Sequence, residues 1–194
     1  MQAAADELVS HTREHGFALF LGYGLLLQAG ALTLRGQGEV AVDRIHQAVA
    51  AMQATGMNRS DPMILGYLAE ALARKGAVVE GLQTLAAALT TAEASGAHWA
   101  DAEFHRLRGI LLSRLPSNDW TEVEPCFRTA LSVARDQGTR GFELRAAVSL
   151  ARLLSARWRR DEARDLLAPV YGWFTEGFDT PDLKEAKALL NELG

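Results

Sequence analysis

The sequence predicts an all-α chain, an α-solenoid of antiparallel helix hairpins in units of about 40 residues with a C-terminal capping helix. Three observations predict it. Ala, Leu, Arg and Glu dominate while Pro (5) and Tyr (3) are scarce, a balance that suits helices rather than strands. Glycines close apolar-periodic stretches in REHG, QATG, EASG, RDQG and FTEG, at Gly16, Gly56, Gly96, Gly138 and Gly177, with steps of 40, 40, 42 and 39 residues. Small and large apolar residues hold one register against those glycines.

The register runs through both halves of each unit. In the second half, Ala41/Ile45, Gly81/Leu85, Val123/Phe127 and Ala163/Leu167 recur, followed by Ala48, Ala88, Ala130 and Val170. In the first half, AGAL from Ala29, AEAL from Ala69, GILL from Gly109 and ARLL from Ala151 align. Short polar breaks, RGQGE, RKGA, LPSND and ARWRRD, separate the halves. Each unit therefore reads as a helical hairpin, and the terminal glycine supplies the left-handed residue that ends its second helix.

Taken in order, the helices are expected at 4–15, 18–35, 39–55, 62–75, 78–95, 99–114, 120–137, 141–157, 161–175 and 181–193. One repeat domain is expected over 1–194, with a half unit at 1–16, units at 17–56, 57–96, 97–138 and 139–177, and the cap at 181–193. Asp61-Pro62 and Thr180-Pro181 place a capping side chain before a proline at the first helical position, and Asp119 with Glu122 has capping-box spacing. The final helix is polar outside, through Asp182, Lys184, Glu185, Lys187 and Glu192.

Composition narrows the function. A formal charge of −4 gives no footprint for nucleic acid. No apolar run approaches the roughly 20 residues of a membrane-spanning helix. One cysteine, Cys126, cannot form an internal disulfide. The N-terminal MQAAADELVS carries acids before any apolar stretch, unlike a secretory signal, so the expected location is the cytoplasm.

Candidate chemistry is sparse. His11-x-x-Glu14-His15 has the spacing of the inverted zinc proteases. Gly16, however, is in register with the glycines that end second helices, so this stretch reads as a helix end. A catalytic zinc also needs a third ligand and a supporting shell that nothing downstream marks. GYG at 22–24 and GQG at 36–38 extend to no phosphate-binding loop. Cys126 reads as a buried thiol on a core stripe. Asp161-Glu162 and Glu122/Glu124 read as acids complementing helix N-termini. Trp99, Trp120, Trp158 and Trp173 read as core and interface packing. No nucleophile, base and orienting group come together, so no catalytic residue, metal or cofactor is expected.

The A-x-x-x-F columns and the hairpin unit resemble tetratricopeptide repeats. The departures are a unit of about 40 rather than 34 residues, no tryptophan or terminal proline column, and Leu32, Leu72, Leu112 and Leu154 in place of Tyr. The segment from EVEPCFRTAL to the end, above all PVYGWFTEGFDTPDLKEAKALL, resembles the C-terminal region of large bacterial proteins described as adenylate/guanylate cyclases or predicted AAA-type ATPases. That resemblance runs from about residue 7 onward. It implies a signalling module attached to ATPase or cyclase domains, although no cyclase or ATPase residue is present in the 194. The chain is accordingly expected to be a segment of a longer protein or a truncated relative, with an exposed N-terminal face bearing Leu8, Val9 and Phe17 that supports dimerisation or contact with a preceding repeat.

If the hairpins stack as tetratricopeptides do, first helices line a groove. The facing positions are then one, four and five after, and three and six before, the small-residue column. These are Tyr23, Leu26, Met63, Glu70, Arg74, Glu103, Arg106, Arg114, Arg145 and Arg152. Residues 101–164 carry twelve arginines against nine acids, which suits carboxylate or phosphate groups through bidentate hydrogen bonds, on a peptide, an acidic protein partner or a small effector. The plainer reading is a solvated face of i,i+4 pairs. Two functions follow: an interaction or effector-sensing module that acts on an attached ATPase or cyclase, or a structural spacer and self-association element.

Overall fold

A computed structural model describes residues 2–56, 61–116 and 119–194. Its helices are α1 (Gln2–His15), α2 (Ala18–Leu34), α3 (Gly38–Gln53), α4 (Pro62–Lys75), α5 (Val78–Ser95), α6 (Asp101–Leu112), α7 (Trp120–Asp136), α8 (Arg140–Ala156), α9 (Arg160–Gly172) and α10 (Pro181–Leu193), with one 3-10 turn at His98–Ala100. No strand occurs among the described residues. None of their helices is long and apolar enough to cross a membrane. The chain divides into two compact units, Met1–Ala100 and Asp101–Gly194.

The periodic glycines do what their register requires. Gly16, Gly56, Gly96, Gly138 and Gly177 have φ of 71°, 87°, 70°, 66° and 76°, a region that costs a side-chain-bearing residue stability and glycine none. The small and large columns are all buried, from Ala29 and Ala69 on first helices to Ile45, Leu85, Phe127 and Leu167 on second helices. In the first unit, α1 packs on α2, α2 on α3 and α4, and α4 on α3 and α5. Its core joins Val9, Leu25, Leu26, Ile45, Met52, Ile64 and Leu72. In the second, α7 packs on α6 and α8, α9 on α8 and α10, and α8 touches both α6 and α10. Val123, Phe127, Leu144, Leu150, Leu154, Leu167, Leu183 and Leu189 form that core.

Several local expectations need correction. Helix α6 starts at Asp101 after a 3-10 turn and ends at Leu112, so Arg114 lies in the following turn. Helix α9 stops at Gly172, a poor residue for a last helical turn, five residues short of Gly177. Asp61 and Asp119 cap α4 and α7 by accepting from the N–H groups of Met63 (2.8 Å) and Thr121 (2.9 Å). Thr180 makes no such side-chain cap, because its hydroxyl donates to the Gly177 carbonyl at 2.7 Å. The expected unit boundary at 57 and two residues of the LPSND break, Ser117 and Asn118, lie outside the described residues.

The N-terminal face also differs. Val9 is buried and Leu8 half-buried, because α1 presses onto Gly24 of α2, where an added Cβ would sit 2.9 Å from Val9 Cγ2. Gln28 of α2 donates to Asp6 of α1 at 2.7 Å, tying the two helices together. The apolar side chains left in water are Phe17 and Phe20, whose rings meet edge to face, together with Leu27 and Leu34 on α2.

Candidate functional site: a first-helix face in the second unit

Helices α6, α8 and α10 are first helices, and in the second unit each lies directly against the next. Glu103 and Arg145 occupy the same position, six residues before the small-residue column, in α6 and α8. The repeat therefore brings them together, and Arg145 Nη2 lies 3.0 Å from Glu103 Oε1. The same carboxylate takes a bidentate pair from Arg106, whose Nε and Nη2 donate to Oε2 and Oε1 at 2.8 and 2.6 Å. Arg106 Nη1 also reaches Ser149 of α8 at 3.4 Å. Further along, Arg152 of α8 meets Glu185 of α10 at 3.0 Å.

Burial sorts these groups. Glu103 and Arg106 are each only 8% exposed, turned into the protein rather than open to a groove ligand. Burial alone would raise the Glu103 carboxyl, but Arg106 and Arg145 outweigh it and hold that group below the ordinary glutamate value. Arg145 is partly open and Arg152 largely so, both with their guanidinium groups held by carboxylates of neighbouring helices. At the start of α8, Glu143 is buried and accepts from Arg135 and Arg140. Burial raises its carboxyl less than those two arginines lower it.

The remaining sequence candidates are placed as follows. In the first unit, Tyr23 on α2 and Met63 on α4 are half-buried against the core, and Leu26 is inside it. Glu70 is half-buried on α4 and Arg74 is exposed in its last turn. The structure thus gathers Glu103, Arg106, Arg145 and Arg152 along α6, α8 and α10, and leaves Arg114 in the turn beyond α6.

His11, Glu14 and His15 share the exposed last turn of α1, their ligating atoms within 4.8 Å of one another and the two imidazole centroids 4.5 Å apart. Three ligands from one exposed turn leave the other positions of an ion to water, which suits loose, exchangeable binding rather than a shielded catalytic centre. Cys126 is a free, buried thiol that burial pushes above its ordinary value.

Of the tryptophans expected to pack in the core or at interfaces, Trp120 packs against the second core and the other three do not enter either core. Trp99, Trp158 and Trp173 are exposed and Trp120 is half-buried. Sequence reasoning also missed a cage on α7 and α9. There Arg128 meets Glu124 and Glu162 at 2.6 and 3.0 Å, and Arg159 meets the same two carboxylates at 2.9 and 2.7 Å. The doubled arginines of RWRRD and the acids of WTEVE, one hairpin earlier, were the available signal.

No family model and no curated protein sequence matches the chain. Solved structures do. BtubC (BKLC) from P. vanneervenii superposes with a TM-score of 0.69 at 17% identity, covering 98% of this chain and 80% of that one. A kinesin-light-chain-type protein of Podosopora anserina with nearly identical TPR-like repeats superposes at 0.58 and 19% identity, covering 88% of this chain and 84% of that one. A point variant of that protein gives 0.59 at the same identity and coverage. Identities this low speak for the fold alone. The ten helices among the described residues, the buried small-and-large columns and these neighbours together establish an all-α, TPR-like helical-repeat fold.

Proposed function

We propose that the chain is a non-catalytic protein-interaction module that docks a peptide or protein with acidic groups on the face shared by α6, α8 and α10. The observation that carries this reading is the pair Arg145 and Arg152. Both are solvent-accessible, and each is fixed by a carboxylate of the adjacent first helix. Guanidinium groups held in place lose little freedom when they take up a carboxylate, which favours planar bidentate recognition. Buried Glu103 acts here as a positioning residue, since it orients Arg106 and Arg145 without facing the ligand. Peptide arrays probed with the wild-type chain and with Arg145→Glu/Arg152→Glu test the reading. Acidic peptides should bind the wild type and lose at least tenfold in the variant, with helical circular dichroism retained at the assay temperature although the charge reversal beside Glu103 lowers the melting temperature; equal binding by both would overturn it.

The finer assignment, a C-terminal regulatory region acting on an attached bacterial cyclase or AAA-type ATPase, is supported by the resemblance of the PVYGWFTEGFDTPDLKEAKALL tail. A phosphate-loop motif in frame upstream of Met1 would bear it out, and an in-frame stop codon there would defeat it.

A second reading, self-association, is favoured by Phe20, Leu27 and Leu34. They recur every seven residues along α2, remain exposed, and lie on a helix without a single charged side chain. Sedimentation velocity of the wild type and of Phe20→Ser/Leu27→Ser separates the two. Self-association requires a dimer that the double variant dissociates, whereas a wild-type monomer removes this reading.

A further inference from the structure

Trp158, in the turn between α8 and α9, has φ 61° and is the one non-glycine residue with positive φ among the described residues. Its side chain is 92% exposed. In the corresponding turns of two earlier hairpins the left-handed position is filled by Gly36 and Gly76, at 77° and 86°. An indole there strains the backbone and contributes nothing to the core, so stability does not account for it. Backbone outliers of this kind, held in place by their surroundings, concentrate at functional positions.

The residues on either side of Trp158 border a cleft. Arg157 and Arg159, with Trp120, Thr121, Glu124, Pro125 and Arg128 of α7, line an open cleft of about 420 Å³. The Arg157 guanidinium lies 5.9 Å from the centroid of the Trp120 ring, within cation–π range. Arg128 and Arg159 are committed to Glu124 and Glu162 in the cage described above, which stiffens one wall. Arg157 enters no ion pair among the described residues. With Arg128 and Arg159 paired to Glu124 and Glu162, Arg157 supplies the uncompensated positive charge of the cleft, while Trp120 and Pro125 supply apolar surface. Tryptophan and arginine are also the side chains that most often dominate binding energy at interfaces.

We propose that this cleft docks a segment of a partner protein in which an acidic residue neighbours a large apolar one. The apolar side chain rests on Trp120 and Pro125, the carboxylate pairs with Arg157, and Trp158 adds apolar contact at the rim. The proposal rests on the reading of the chain as an interaction module but uses a different surface, formed by α7 and the α8–α9 turn.

The test is selection of a phage-displayed random dodecapeptide library on the full chain, followed by fluorescence-anisotropy titration of each selected peptide. Wild type, Arg157→Glu, Trp158→Gly and Arg145→Glu/Arg152→Glu are compared. The cleft requires a class of peptides with Asp or Glu beside Leu, Phe or Trp. These should weaken at least tenfold on Arg157→Glu and severalfold on Trp158→Gly, and keep their affinity for the first-helix double variant. Trp158→Gly replaces a strained residue by the one used in the earlier turns, so its melting temperature should not fall, and lost binding cannot be assigned to unfolding. If every selected peptide survives Arg157→Glu and only the first-helix variant releases them, the cleft is overturned and the interaction module stands. If no sequence is enriched, both readings fall together.

Discussion

Gly109 of α6 lies against the ring of Phe127 of α7 so closely that a Cβ on the glycine would sit 2.5–3.0 Å from three ring carbons. The other units carry Ala29, Ala69 and Ala151 in the small column and Ile45, Leu85 and Leu167 in the large one. Glycine appears where the large residue is aromatic. Replacing Gly109 by Ala gains about 1 kcal/mol of helix propensity but overpacks the site by roughly 1–3 kcal/mol. We expect a net loss that Phe127→Leu relieves, seen in urea unfolding as a favourable coupling of about 1 kcal/mol or more in the double-mutant cycle.

Glu103→Gln removes the counter-charge nearest a buried guanidinium. Arg106 is 8% exposed and takes its bidentate partner from Glu103, so the variant should lose about 3–5 kcal/mol at neutral pH. The native carboxyl is depressed, and its stabilisation is therefore fully present above about pH 4.3, the unfolded-state value, and lost as pH falls through the lower folded-state value. Urea midpoints measured from pH 7 to pH 2 should fall less steeply in the variant than in the wild type. Parallel curves would refute the assignment.

Trp158→Gly should stabilise the chain. Relief of a left-handed non-glycine residue gives about 1 kcal/mol, or about 2–4 °C in melting temperature for a chain of this size. A drop on calorimetry would mean that the indole makes stabilising contacts its exposure does not suggest.

The Cys126 thiol should react slowly in the native protein. It is 9% exposed, its Sγ lies 3.3 Å from the Glu122 carbonyl, and burial disfavours the thiolate. Modification by a disulfide reagent at pH 8 should accelerate by roughly tenfold or more on unfolding in urea.

The repeat architecture was legible because its signals are local demands of backbone and core. Gly56 and Gly96 are needed for their φ, and Ala48 and Ala88 for the space they leave, whatever lies elsewhere in the chain. The first-helix face was partly legible. The column that places Glu103 and Arg145 in successive helices was visible, but not that Glu103 would also draw in Arg106 and bury it. That outcome depends on helix rotation and on a neighbour 42 residues away. Val9 was misjudged because its cover, the Cβ-free surface of Gly24, belongs to another helix. Trp158 was unreadable for a related reason: composition makes tryptophan a core residue, and only its turn, in register with Gly36 and Gly76, reveals otherwise.

The uncharged α2 sets the proposed self-association apart from the proposed arginine docking in its response to electrolytes. A contact made through Phe20, Leu27 and Leu34 would have little Coulombic component and would strengthen in sulfate, which drives apolar surface together. Any complex made through Arg152 or Arg157 weakens in sodium chloride, since a Debye length of about 8 Å at physiological strength shrinks to about 3 Å at 1 M. Sulfate and sodium chloride would therefore separate the two proposed modes, the first favouring self-association through α2 and the second weakening a complex made through the arginines.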